Sequence, residues 1–568
     1  MPRVMGCVVP RSLPLFLALA FGLCLQAPET QAARSNGLAE PVQTNSPSAQ
    51  PMEAPQERQK ETTEKTKLAP GAAPEFHPES ETISPSAAMR SSIFKKGLQE
   101  WARNLRPNQG GIIWLAIVVT VLVAFDFRKL FSWRNADILL LLAPSFLLVD
   151  ITRFAVPLTD PTKLSLAGIV FLALFLMTIV FLVRALVGAF TSAREPWTPN
   201  LPPSVLVGLM LLLLACNTVL ALERNPDDCG LYTNLGAKRM LETGKFPYGD
   251  PILRGGAAAT YGPLLYVAHM PFQLALSGTA PRAVPNPRTL ENGPRRYAWP
   301  PVLATKLTLL FFHLVGVVGL ALIGWRLGGP AVGFGLVCLY IGSAYVQGIG
   351  GEQWVIDGMA FISHIAPTAV TVLAFATVKR PFWAGALLAI GAGILFYPAF
   401  FFPLWFGYYF WRGKGWGKFA AGFLLVCLVI GGSVMLMTQA GENESVLHVL
   451  HESTVGHQEG NTAYGSSTFS FWGTHPRLAA FWQRPLVLNL YLLKPAFLAF
   501  LVFLGASFFL ARGRTLPQFA FLTAAVAIAV QLWKSHAGGT YVEWYLPFFL
   551  IGTFAQGRPE GAEAPPKV

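Results

Sequence analysis

Asp227 and Asp228 stand side by side just past an apolar run, in Glu223-Arg-Asn-Pro-Asp-Asp228. Charge beside such a run is tolerated only at a membrane surface or in a wet cavity, so the pair marks an aqueous site at a membrane rim. A carboxylate placed there is suited to take a proton from a hydroxyl. The competing reading is structural, because Asp is a common N-cap and a short helix over 230–243 would use one. Glu352 and Asp357, in Gly350-Gly-Glu-Gln-Trp-Val-Ile-Asp357, make a second acidic turn suited to hydroxyls or a metal. Asp357 is equally suited to cap a helix beginning near Gly358. His448 and His451 share a helix face, with Glu452 and His457 close by, which is metal-ligand spacing. Histidines in a loop are otherwise exposed or hydrogen-bonded, and no acidic motif of a metal enzyme accompanies these three. A divalent metal is thus left open and no ligand set is assigned.

The elements that must position these groups are membrane helices. Of 568 residues 53% are hydrophobic and 13% charged, and mean hydropathy is +0.46. A soluble core has no use for so many uncharged runs of about 18 residues or more. The net charge of +13 lies in short loops between those runs rather than on one face, which fits membrane orientation and not nucleic acid. Lipid admits helices or closed barrels, and these runs do not alternate in barrel fashion, so the chain reads as all-α.

Spans are expected near 111–127, 138–156, 164–190, 204–222, 303–325, 331–349, 359–378, 419–438, 487–510, 516–533 and 541–555. A hairpin of two short helices over 382–411 completes about thirteen crossings. Arg128, Lys129, Arg134 and Arg194 make their loops cytoplasmic, as do Arg326, Lys379, Arg380, Arg412, Lys414, Lys418, Arg512 and Arg514. This count requires 261–276, interrupted by Pro263 and Pro271, to lie along or dip into the outer surface without crossing. Asp227, Asp228, Glu352, Asp357, the loop histidines, Lys534, His536 and Glu543 then face outward.

Residues 1–26 read as a signal peptide or signal anchor, with Arg3 and Arg11 ahead of a short apolar run. Residues 27–107 have the composition of a disordered extracytoplasmic tail. Three additional transmembrane helices over 108–191 precede a membrane core over 204–556 whose first outer loop is 223–301, and 557–568 is a cytoplasmic tail. The six cysteines form neither a disulfide framework nor a CxxC metal site. There is no P-loop or dinucleotide fingerprint, so the energy for any reaction arrives stored in a membrane-delivered substrate.

An apolar span, an Asp pair four residues before Tyr232, then Gly244-Lys-Phe-Pro-Tyr248, Thr260-Tyr-Gly-Pro-Leu264 and Pro271 follow in order. This order resembles the first outer loop of GT-C class glycosyltransferases, in the bacterial mannosyltransferase-like branch, which use polyprenyl-phosphate sugars. The Lys that the family often carries before the Pro of its middle hairpin has no counterpart in Leu395-Phe-Tyr-Pro398. The resemblance implies a GT-C-like bundle with short surface helices, in the bacterial cytoplasmic membrane with its site facing the periplasm or exterior. It implies inverting sugar transfer to a glycan, glycolipid or protein acceptor.

Asp228 matches the family's acidic position and is preferred as the base over Asp227. The leaving lipid phosphate needs positive charge, for which Lys238, Arg239, Arg254, Lys534 and His536 are candidates; each equally suits anionic head groups of the membrane lipids. Tyr232, Tyr248 and Tyr261 are candidates to meet the substrate, and Glu352 the acceptor. Two other classes stay open: a transporter or flippase of lipid-linked sugars, which predicts mid-bilayer charges and often repeats, and a non-catalytic membrane scaffold.

Overall fold

The computed structural model describes residues 109–155, 161–191, 197–224, 226, 228–251, 253, 259–276, 300–348, 361–442, 444–453, 485–534 and 541–555. The expected signal segment, the tail over 27–107, the last residues, and Asp227, Arg254, Glu352, Asp357, His457 and His536 lie outside the described residues. Asp228 and Lys534 enter as backbone positions only.

Among the described residues every regular element is helical. In chain order these are α1 (Gln109–Ala124), α2 (Trp133–Ala155), α3 (Pro161–Phe190), α4 (Pro203–Glu223), α5 (Asp228–Thr243), α6 (Pro263–Ala275), α7 (Val302–Gly328) and α8 (Pro330–Ile341). They continue with α9 (Ile362–Ala376), α10 (Pro381–Ile394), α11 (Phe402–Phe410), α12 (Trp416–Met437), α13 (Val446–His451), α14 (Pro485–Leu510), α15 (Leu516–Lys534) and α16 (Leu546–Phe554). Tight 3-10 turns at Tyr397–Phe401 and Val542–Trp544 lead into α11 and α16. Proline opens α4, α6, α8 and α10, where its missing N–H costs no intrahelical bond.

Four described helices are long and apolar enough to cross a bilayer: Leu172–Phe190 within α3, then α4, α7 and α12. Of the other apolar helices, α8, α9 and α16 are shorter than the sequence spans suggested, whereas α2, α14 and α15 reach or exceed theirs. The run at 331–349 is helical for 12 residues as α8, after which Ser343 turns its hydroxyl back onto the Tyr340 carbonyl. The run at 541–555 contributes the 9 helical residues of α16. Such pieces stop inside the protein, where turns and neighbouring helices take over the backbone groups that lipid would leave unsatisfied. Helical apolar spans are therefore present among the described residues, four of them long and apolar enough to cross a bilayer alone.

The 382–411 region forms the expected pair of short helices, α10 and α11, joined by the turn Tyr397–Phe401. Gly385 and Gly422 let α10 and α12 touch: a Cβ on either would lie 2.1 Å from a backbone carbonyl of the other helix. Behind this pair lies an aromatic core. Phe519 of α15 stacks on Phe375 of α9 at 5.4 Å and on Tyr408 of α11 at 4.1 Å, beside the fully buried Trp405. The additional N-terminal helices join the same body. Arg184 of α3 grips Asp137 of α2 through two bonds of 2.5 and 2.7 Å and lies over Phe521 of α15, while the Tyr345 hydroxyl donates to the Leu141 carbonyl of α2.

The contacts sort the helix ends into two groups. At one end Asn200 donates to the Val123 carbonyl, Gln518 to Thr191, Arg326 to Ala376, Tyr409 to Val378 and Arg412 to Arg514, and Trp197 meets Phe554. This end carries Arg128, Lys129, Arg326, Lys379, Arg380, Arg412, Lys414, Lys418, Arg512 and Arg514. At the other end Asn217 donates to the Ile341 carbonyl and the Phe246 N–H to Met437, and here lie α5, α6 and α13 with Glu223, Asp228, Glu242, Asp250, Glu442, Glu444 and Glu452, among which Arg224, Lys238, Arg239, Lys245, Lys306 and Lys534 are interspersed.

Candidate functional site

Helix α5 follows α4 after four residues and lies at the acidic end of the bundle. Cys229, Thr233, Ala237 and Met240 recur at helical spacing and are buried, whereas Lys238 and Glu242 reach solvent and sit 3.7 Å apart. Polar groups fix the helix from below. The Thr233 hydroxyl donates to the Cys229 carbonyl at 2.7 Å, so its oxygen accepts from Nε2 of His269 in α6 at 2.9 Å. That bond assigns the Nε2–H tautomer to His269, a fully buried ring whose pKa burial lowers to about 3. Asn234 donates to the Pro301 carbonyl and accepts from Gln273 at 2.5 Å. The Thr305 hydroxyl of α7 donates to the Gly230 carbonyl at 3.3 Å.

The turn after α5 is bolted to the end of α12. The Phe246 N–H donates to the Met437 carbonyl at 2.9 Å and the Gln439 N–H to the Tyr248 carbonyl at 3.2 Å. Between these bonds Gly249 adopts φ +72°, and a Cβ there would sit 1.9 Å from the Gln439 carbonyl oxygen. Asp250, fully buried, accepts from Arg239 Nε at 2.7 Å and Gln439 Nε2 at 3.2 Å, and its other oxygen accepts from the Leu253 N–H. The buried Tyr248 ring packs edge-on to Tyr266 at 5.9 Å, and its hydroxyl donates to the Tyr261 carbonyl at 2.6 Å. Burial pushes the Tyr248 phenol pKa up, so it stays a hydrogen-bond donor. The Tyr261 N–H in turn donates to the Tyr266 hydroxyl at 3.0 Å.

Asp228 and Tyr232 are one turn apart, and so share a face at the start of α5. Lys238 and Arg239 are ten and eleven positions further on, which at 1.5 Å per residue places them roughly 16 Å along the axis. Arg239 is committed to the buried Asp250. Tyr248 and Tyr261 hold the turn together. Lys534 closes α15 at the same end of the bundle. Glu543, expected in an outer turn, is fully buried in Val542–Trp544, where Trp544 stacks on Tyr397 at 4.1 Å.

His448 and His451 are exposed on the short helix α13, with His451 Nδ1 3.7 Å from Glu452. Among the described residues no group of three or more His, Cys, Asp or Glu side chains gathers closely enough to hold a metal ion.

Two cations that the sequence reading passed over flank the start of α5. Arg224, the C-cap of α4, donates from Nη1 to the carbonyls of Gln347 at 2.6 Å and Gly348 at 3.0 Å. Lys306, one turn into α7, donates to the Leu222 carbonyl. Arg224 reads as the end of a span and Lys306 as a stray charge inside the next, and only the fold brings them to one place. Asp250 was equally silent, since an Asp after Gly in a turn is ordinary turn chemistry. A comparison of this chain with known family models, curated proteins and solved structures finds no match.

Proposed function

We propose that the protein is an integral membrane glycosyltransferase that moves a sugar from a polyprenyl-phosphate donor to an acceptor hydroxyl, with inversion. The observation that carries this reading is the placement of α5: a short half-buried helix opening with Asp228, directly after the membrane-length helix α4, at the end of the bundle opposite the basic turns. By the bias of basic residues toward the cytoplasm, that end faces the periplasm or exterior of a bacterial cytoplasmic membrane, where lipid-linked sugars are used. The shorter helices cross together with the four long ones, in the count of about thirteen.

In the reaction the acceptor oxygen bonds to the anomeric carbon as the carbon–oxygen bond to phosphate breaks. The phosphate leaves with the electron pair, and the acceptor proton passes to Asp228, with Asp227 as its neighbour and alternate. Acceptors with free hydroxyls include a glycan, a glycolipid or a protein side chain.

The test supplies membranes with radiolabelled polyprenyl-phosphate sugars and compares wild type with Asp228→Asn and Asp227→Asn at equal expression. Loss of a general base lowers transfer by about 10²–10⁴-fold, and that loss is expected for Asp228→Asn. Equal transfer in all three proteins rejects the assignment, and translocation of the lipid without transfer points to a flippase.

A further inference from the structure

The turn joining α1 to α2 carries large apolar side chains and cations together at its tip. Phe131 is fully exposed, Phe127, Leu130 and Trp133 are more than half exposed, and Arg128 and Lys129 stand exposed between them. In water a tip of this kind invites association. A slack loop would fold such rings inward, and this one is held from doing so. Asn135, buried at the start of α2, accepts from the Asp126 N–H at 2.8 Å and donates toward the carbonyls of Asp126, Lys129 and Leu130 at 3.0, 3.2 and 3.0 Å. The Asp126 carboxylate accepts from the N–H groups of Arg128 at 3.0 Å and Lys129 at 3.2 Å. The backbone bonds are thus closed on themselves, and Phe127 is propped edge-on against Phe125 at 5.0 Å.

The height of the turn is set by a membrane-length helix. Asn200, three residues before α4 begins, donates from its N–H to the Val123 carbonyl at 3.0 Å and from its side chain to the Phe125 carbonyl at 2.8 Å. Because α4 is long and apolar enough to cross a bilayer, the turn lies level with the end of a span, in the head-group layer. Other arginines of this end fold back on the protein: Arg412 lies over Tyr408, Arg512 over Trp411 and Arg514 over Phe190, and Arg326 donates to the Ala376 carbonyl. Arg128 makes no ion pair, side-chain hydrogen bond or ring contact among the described residues.

We propose that the 127–133 turn is a docking surface for anionic phospholipid. Arg128 meets the phosphodiester of the head group, and the rings of Phe127, Phe131 and Trp133 seat between head groups and acyl chains. Lipid already surrounds a surface at this height, and its positive charge selects anionic over zwitterionic head groups, by about fivefold per cation. The turn thereby fixes the depth of α1 and α2 in the membrane, whatever chemistry takes place at the opposite end of the bundle.

The experiment places the full chain in nanodiscs of phosphatidylcholine with a minor share of brominated lipid, either phosphatidylglycerol or phosphatidylcholine. A fluorophore on Leu130→Cys, in a protein whose six native cysteines are replaced by serine, reports quenching by each. Brominated phosphatidylglycerol is expected to be enriched at the turn. Arg128→Gln lowers that enrichment by about fivefold and Arg128→Glu by about 30-fold, whereas Lys414→Gln, in another turn of the same end, leaves it unchanged. Added salt lowers it too, since the charge is exposed. Phe131→Ser reduces quenching by both lipids as the tip withdraws. Thermal unfolding of each variant separates lost docking from lost folding, and the salt series on the labelled parent protein carries the test if a variant unfolds.

Equal quenching of the parent by the two brominated lipids, or an enrichment indifferent to Arg128 and to salt, overturns the proposal. Quenching by neither lipid, with the fluorophore shielded from a water-soluble quencher, identifies protein as the cover of the turn and overturns it as well.

Discussion

At the scale of single residues, the polar groups beneath α5 behave as struts, and His269 shows how. Its ring is buried, bonded to Thr233 and held neutral, with a pKa lowered to about 3 from the ordinary 6.5. An unfolded chain takes up a proton there as pH falls below about 6.5 while the folded chain does not, so the unfolded state binds more protons and stability falls with pH. The contribution is intact above about 6.5 and is lost progressively between there and 3, by at most about 1.4 kcal/mol per pH unit. His269→Gln keeps a donor toward Thr233 and removes the titration. The difference in unfolding temperature between variant and wild type is therefore expected to shift in the variant's favour as pH drops from 7 to 5. A difference independent of pH would place His269 elsewhere. Asp250 is a second strut, a buried side chain whose oxygens accept from Arg239, Gln439 and the Leu253 amide.

At the scale of elements, the segment 245–250 is legible in sequence only as a turn. Gly244, Pro247 and Gly249 announce a change of direction, but the strand-like bonds from Phe246 to Met437 and from Gln439 to Tyr248 join positions nearly two hundred residues apart. No local pattern records such a partner. Gly249→Ala imposes both a left-handed backbone on a residue with a Cβ and a clash with Gln439. The expected cost is about 1–3 kcal/mol, with faster protease cleavage near 245–250 while the bundle stays intact. Unchanged cleavage would mean that the turn is free of α12.

The short pair α10 and α11 was readable, because Pro398 and Pro403 interrupt an apolar run flanked at both ends by basic loops of the same side. The lengths of α3, α4, α7, α12, α14 and α15 were readable as well, and those of α8 and α16 were not. Hydropathy measures where apolar residues run, and α8 and α16 show that a run continues through buried turns after the helix has ended. Of the candidate site, the spacing of Asp228 and Tyr232 is a turn of one helix and was legible, whereas the bonds of Arg224 to the 347–348 turn and of Lys306 to Leu222 come from the packing of α4 against its neighbours.

For the whole molecule, the separation of charge between the two ends predicts orientation. Lys245→Cys, at the acidic end, should react with a membrane-impermeant maleimide in intact cells, and Lys414→Cys, in the turn before α12, only after lysis. The reverse pattern would invert the protein and place the Asp pair in the cytosol.

Helix α10 has a further consequence for the host membrane. Its 14 residues rise roughly 21 Å, about 9 Å less than the hydrocarbon of an ordinary bilayer. Its far end abuts the start of α6, where a Cβ on Gly262 would lie 2.3 Å from the Ile394 carbonyl oxygen. Acyl chains beside α10 are expected to shorten, tilt or disorder wherever no neighbouring helix makes up the difference. Thermal stability is thereby expected to vary with lipid chain length: bilayers of short-chain phospholipids accommodate the mismatch at little cost, and thick ones resist it.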